Sequence, residues 1–137
     1  MTPSALVDTS AFLALANPRD QHHDQAVRAA KRFSDEGGRF VSTVLVLGEF
    51  YSHMLYLAGP AHARRVVGDL LDDPIYSWAD VGVDLLTASM SAWLERFTNQ
   101  RFSLIDAVSF EVMRREGVRT AFAFDRHFRI AAFELLQ

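Results

Sequence analysis

Residues 6–16 read LVDTSAFLALA, and the position of Asp8 within them decides how the rest of the chain is read. Leu6 and Val7 have the character of a buried strand end, whereas Ala11, Phe12, Leu13 and Leu15 form one side of a helix. A carboxylate between two apolar elements has an ordinary explanation. A side-chain oxygen at a helix start can accept an unpaired backbone N–H. Whether Asp8 does more depends on how often the strand-to-helix junction recurs and which acids recur with it.

The junction does recur. Asn17-Pro18 stops the first helix, and Asp20 is placed to cap a second, with Ala26, Val27, Ala30 and Phe33 on its apolar face. Gly37-Gly38 end it, as glycine commonly does. Residues 39–42 predict a second strand, 43–57 a strongly apolar helix closed by Gly59-Pro60, and 61–71 a further helix. A third strand is expected over 75–79, and Leu86, Met90, Trp93, Leu94 and Phe97 repeat at helical spacing. A polar link over 98–101 leads to Ser103 and a helix over 104–116, stopped by Gly117. Residues 120–124 predict a fourth strand, and 130–136 form a last apolar piece. Strands with little polar alternation, ALV and AFAF, point to a parallel sheet covered on both faces. Alternating short strands and helices therefore predict an α/β fold in three layers, α/β/α, with a parallel central sheet of four or five strands. One domain over residues 1–137 is expected.

Composition narrows the function. Half the 137 residues are hydrophobic, which excludes a disordered chain. No apolar run reaches the roughly 18 residues of a membrane span. The start, MTPSALVDTS, lacks a basic segment followed by a long apolar run, so no signal peptide is expected. The absence of cysteine rules out disulfides and thiolate metal sites and suits the cytoplasm. A net charge of −3 excludes a protein that grips nucleic acid by bulk charge, so any such contact must be local.

Four acids sit where acids are costly. Asp8 and Asp125 follow the first and fourth strands, so both lie at the carboxyl edge of a parallel sheet, where such folds bind ligands. Glu49 lies in TVLVLGEFYSHML, the most apolar helix, near the same edge. Asp106, in FSLIDAVSF, completes a Ser-x-x-Asp capping box with Ser103, yet Ile105, Ala107, Val108 and Phe110 crowd it. If the four meet, their mutual repulsion must be relieved by protons or cations. Oxygen donors select hard ions, Mg²⁺ or Mn²⁺. Ions of that kind can activate water and neutralise a phosphodiester.

These motifs in this order resemble the PIN-domain family: a strand ending in D-T-S, a mid-chain Glu early in a helix, S-L-x-D-A opening a later helix, and F-D-x-H-F after a final strand. Chain length and motif order are most similar to its VapC-type toxin branch. The resemblance implies a metal-dependent endoribonuclease acting on single-stranded RNA, with Asp8, Glu49, Asp106 and Asp125 as the catalytic and metal-binding quartet. It implies Mg²⁺ or Mn²⁺ as cofactor, a VapB-type antitoxin as partner and a homodimer. Thr9, Ser10 and Arg126 are expected to touch substrate, and Arg101 and Arg129 flank the same motifs. Two alternatives stay open: a non-catalytic RNA- or protein-binding module of this fold, and a small PIN nuclease outside a toxin–antitoxin system. Haloacid-dehalogenase phosphatases want D-x-D, and Ser10 stands there instead. His22 and His23 are read as packing or capping residues, and His127 as stabilising a turn.

Overall fold

The structure, a computed structural model, describes residues 2–137; of the expected domain only Met1 lies outside. Among the described residues the sheet has five strands: β1 (Ser4–Val7), β2 (Arg39–Thr43), β3 (Tyr76–Ala79), β4 (Thr120–Phe122) and β5 (Glu134–Leu135). All four pairings are parallel and the order is β3-β2-β1-β4-β5. The chain lays β1, β2 and β3 outward in one direction, then returns to place β4 on the other side of β1. The sheet's switch point therefore lies between β1 and β4.

Period-two alternation divides the core. Ala5, Val7, Phe40 and Phe122 face one side, packing on α1 (Thr9–Ala16), α2 (His23–Asp35), α3 (Val44–Ala58) and α4 (Pro60–Asp72). Leu6, Val41 and Ala121 face the other, under α5 (Val83–Ser89), α6 (Leu104–Glu116) and α7 (His127–Ile130). Sheet and helices thus make the expected three layers. On the first side, Phe12 meets Phe50, Tyr76 and Trp78 with ring centroids 5.6–5.8 Å apart. The α3 face Val46, Phe50, Met54 keeps strict four-residue spacing toward that cluster.

Several local details differ from the sequence-based expectation. β4 stops at Phe122 because the next amides leave the sheet: Phe124 donates its N–H to Ser10 Oγ instead. Asp20 does not cap α2. It accepts from the His22 amide and shapes the turn before the helix, which begins at His23. Ala29 takes the buried place expected for Val27, which is 43% exposed. His23 Nδ1 lies 2.7 Å from the Ala14 carbonyl near the end of α1, and His22 stacks on Phe124. Gly37, at φ +85°, closes α2, and a Cβ on Gly38 would strike Phe33.

The helix expected through residue 97 also changes form. After α5 it widens into a π-helical turn, Met90–Leu94, in which Glu95 N–H reaches back to the Met90 carbonyl. Met90 is thereby left 45% exposed, while Trp93 turns into the second core. Its indole N–H meets Glu111 of α6, a carboxylate that is 2% exposed. Glu111 also accepts from Arg114 Nε and Nη2 (3.0 and 2.6 Å) and from Arg115 Nε (2.8 Å). The Arg114 hydrogen bonds, helped by those of Arg115 and Trp93, overcome burial and hold Glu111 down to about 2.

Glu111→Ala is expected to cost about 2 kcal/mol in urea denaturation, because Trp93 loses its buried acceptor while the half-exposed arginines rehydrate. A depressed carboxyl pKa stabilises above the unfolded value and that contribution vanishes as pH falls through the folded one. The deficit should therefore be full at neutral pH and shrink from about pH 4.5 toward 2. An Ala variant as stable as wild type at pH 7 would contradict this account of the clamp.

Candidate active site

Asp8, Thr9, Ser10, Glu49, Asp106 and Asp125 line one hollow of about 330 Å³ beyond the carboxyl ends of β1 and β4, with Leu13, His53, Arg101, Ser103 and His127. The site lies at the switch point of the sheet, where chain segments diverge and leave room for a ligand.

Each acid arrives by a different local device. Asp8 terminates β1 in extended conformation at the N-cap of α1, and its N–H still bonds the Phe122 carbonyl of β4. Its side chain makes no capping bond. It accepts from the Ser10 hydroxyl at 3.1 Å, a side-chain partner rather than a helix amide. Glu49 is half-buried in the second turn of α3, a helix started by Thr43 Oγ1 accepting from the Val46 amide. Asp106 is buried at the third position of α6, and the capping box is complete: Asp106 N–H donates to Ser103 Oγ and Ser103 N–H to Asp106 Oδ2. Asp125 lies in the β4–α7 loop and accepts from the His127 amide at 2.8 Å.

Ser10 ties two of these loops together. Its Oγ donates to Asp8 Oδ2 and accepts from Phe124 N–H, 114 residues away. Thr9 is different: its Oγ1 is fully buried and has no hydrogen-bond partner, a costly state for a hydroxyl. Arg126 is exposed and does not line the hollow; Arg101 is the arginine that does.

The electrostatics favour a cation. Burial, reinforced by the charge of Asp106, pushes Asp8 up to about 6, and the Ser10 hydroxyl with nearby amides only partly opposes this. Asp106, Asp125 and His127 each offer a ligand atom within 4.8 Å of the others. Asp8 and Glu49 lie outside that tight group but on the same hollow. An oxygen-rich donor set, a proton-hungry carboxylate and an unpartnered hydroxyl together fit a hard divalent ion. No thiolate competes, because the chain has no cysteine.

Sequence reading missed two residues here. His53 is one helical turn beyond Glu49, a spacing that puts both on one face, and that signal was available. His127 was assigned to a turn. Its amide does serve the turn, but its ring Nδ1 also lies 2.9 Å from Asp106 Oδ2 and 3.4 Å from Asp125 Oδ2. That contact joins α6 to the start of α7, 21 residues on, which no local pattern encodes.

Asp8→Asn should raise the melting temperature of the metal-free protein at pH 7. A carboxyl whose folded pKa is raised binds protons more tightly when folded, so its presence costs stability as pH climbs from about 4 to 6. The full cost above that window is roughly 3 kcal/mol. Thermal scans from pH 4 to 8 should show wild type losing ground to the Asn variant; parallel curves would show that Asp8 is not strained.

Comparison with known proteins agrees with the geometry. The family model for the PIN domain matches residues 5–134. The 23S rRNA-specific endonuclease VapC20 of Mycobacterium tuberculosis is 31% identical over 131 residues, covering 93% of each chain. The crystal structure of M. tuberculosis VapC20, described as a sarcin–ricin-loop-cleaving toxin, superposes with a TM-score of 0.82 at 30% identity, covering 94% of this chain and 95% of that one. VapBC2 from Rickettsia felis, bound to a promoter DNA fragment, shares the fold at a TM-score of 0.71 and 13% identity, covering 96% of each chain. The chain belongs to the PIN-domain family, in its VapC-type branch.

Proposed function

We propose that this chain is a divalent-metal-dependent endoribonuclease, the toxin of a toxin–antitoxin pair, working in the cytoplasm on single-stranded regions of RNA. The observation that carries the reading is the convergence of Asp8, Glu49, Asp106 and Asp125 on one hollow from four separate elements. Similarity to VapC20 makes 23S rRNA the first substrate to try. A VapB-type antitoxin and a second copy of the chain are the expected protein partners.

Asp8, Asp106 and Asp125 would hold Mg²⁺ or Mn²⁺, with Glu49 nearby. The chemistry such an ion supplies is positive charge for the phosphodiester and acidity for the attacking water. The chain's own part is to place groups. Glu49 orients the water that attacks phosphorus and receives its proton. Asp106, fixed by its capping box, and Asp125, fixed by the His127 amide, present carboxylates whose directions are already set. Ser10 holds Asp8 against the β4–α7 loop, whereas the Thr9 hydroxyl is buried and does not reach a substrate. Arg101 supplies a local positive charge at the rim of a net acidic protein, where it can meet the RNA backbone.

Purified protein should cleave 23S rRNA with Mg²⁺ or Mn²⁺ and stop in EDTA. Asp8→Asn should lower cleavage at least about 100-fold, the upper end of what changes one layer further out cost. Cleavage surviving both treatments in a gel assay would refute the mechanism. Arg101→Ala should raise KM several-fold with kcat nearly unchanged, as expected for a group that binds substrate and transition state alike. A selective loss of kcat would show instead that Arg101 acts on the reacting phosphate.

A further inference from the structure

We infer that His127 is a positioning residue: its ring N–H fixes the carboxylates of Asp106 and Asp125 relative to each other. The inference rests on the cation reading of the hollow and goes beyond it, since the acidic quartet does not include a histidine. The residue touches both acids through different atoms. Its backbone N–H donates to Asp125 Oδ1, and its ring Nδ1 lies between Asp106 Oδ2 at 2.9 Å and Asp125 Oδ2 at 3.4 Å.

The chemistry of the contact sets the proton. An ionised carboxylate can only accept, so an imidazole nitrogen 2.9 Å from it must carry hydrogen; two lone pairs at that distance would repel. Nδ1 is therefore the donor, which removes it from the set of metal ligands. Asp106 Oδ2 then receives two donors, Ser103 N–H and His127 Nδ1–H. Asp106 Oδ1 accepts no hydrogen bond among the described residues and is the oxygen left for a cation. The ring is held in turn by an edge-on contact with the buried Phe102, 5.4 Å between centroids at 78°. Hydrogen bonds of this kind, one layer behind the ligands, set ligand direction and with it metal affinity.

Two substitutions separate the donor from the ring. His127→Asn places an amide N–H near the Nδ1 position and discards the ring. His127→Phe keeps the ring against Phe102 and discards the donor, with His127→Ala in reserve if that variant does not fold. Both retain the backbone N–H to Asp125. Mn²⁺ binding to the full chain, followed by electron paramagnetic resonance, should weaken about 10- to 100-fold in the Phe variant and recover to within about threefold in the Asn variant. A Phe variant that binds like wild type, an Asn variant as weak as Phe, or directly coordinated ¹⁴N in the spin-echo spectrum of the wild-type complex that the Phe variant loses would overturn the role. Wild type that binds no Mn²⁺, or binds it equally well as Asp8→Asn, would take down the cation reading and this inference with it. Those outcomes are distinguishable, because the first three leave Asp8-dependent Mn²⁺ binding intact.

Discussion

Repulsion among like charges that are partly removed from water governs the carboxyl edge of this sheet. Burial raises the cost of ionising Asp8, and Asp106, from a distant part of the chain, adds to it. The surrounding structure is arranged to tolerate that cost rather than abolish it. Ser10 gives the Asp8 carboxylate one hydroxyl hydrogen bond, a capping-box amide and an imidazole give that of Asp106 two, and an amide gives that of Asp125 one. Each device partly satisfies a carboxylate and leaves acceptor capacity unused. A fold selected only for stability would fill that capacity with donors or replace the acids by apolar groups.

The same groups do two jobs each. The capping box starts α6 and orients a site acid. The turn at Asp125 begins α7 and fixes another. Ser10 closes the gap left where β4 leaves the sheet, and in doing so links the first and last acid-bearing loops. Function is therefore not grafted onto finished secondary structure. It resides in the hydrogen bonds by which elements begin and end, the positions where backbone groups have no partner inside their own element.

The fold was largely legible in the sequence because its signals are local. Apolar runs such as ALV, the glycine pair at 37–38 and the Ser103–Asp106 box each specify an element or its end without reference to distant residues. Asp8 and Asp125 were legible for a related reason, since strand direction alone puts residues that follow parallel strands on one edge; Glu49 and Asp106 stood out as acids in apolar helix segments. What could not be read depends on contacts across the chain. The π-helical turn exists because Trp93 reaches Glu111, and the early end of β4 because Phe124 pairs with Ser10. The exposure of Arg126 depends on which side of a four-residue helix faces the hollow, and the ring of His127 finds its partners only after α6 has packed.

The strand order has a consequence for timing during synthesis. β1 precedes the other strands yet occupies the centre of the sheet, and its second neighbour is β4, which starts at Thr120. Until that stretch is translated, one flank of β1 is bare and the wall of the hollow that carries Asp125 and His127 does not exist. The hollow is therefore completed only when the segment from β4 to α7 joins the sheet, and every earlier intermediate on the ribosome lacks it.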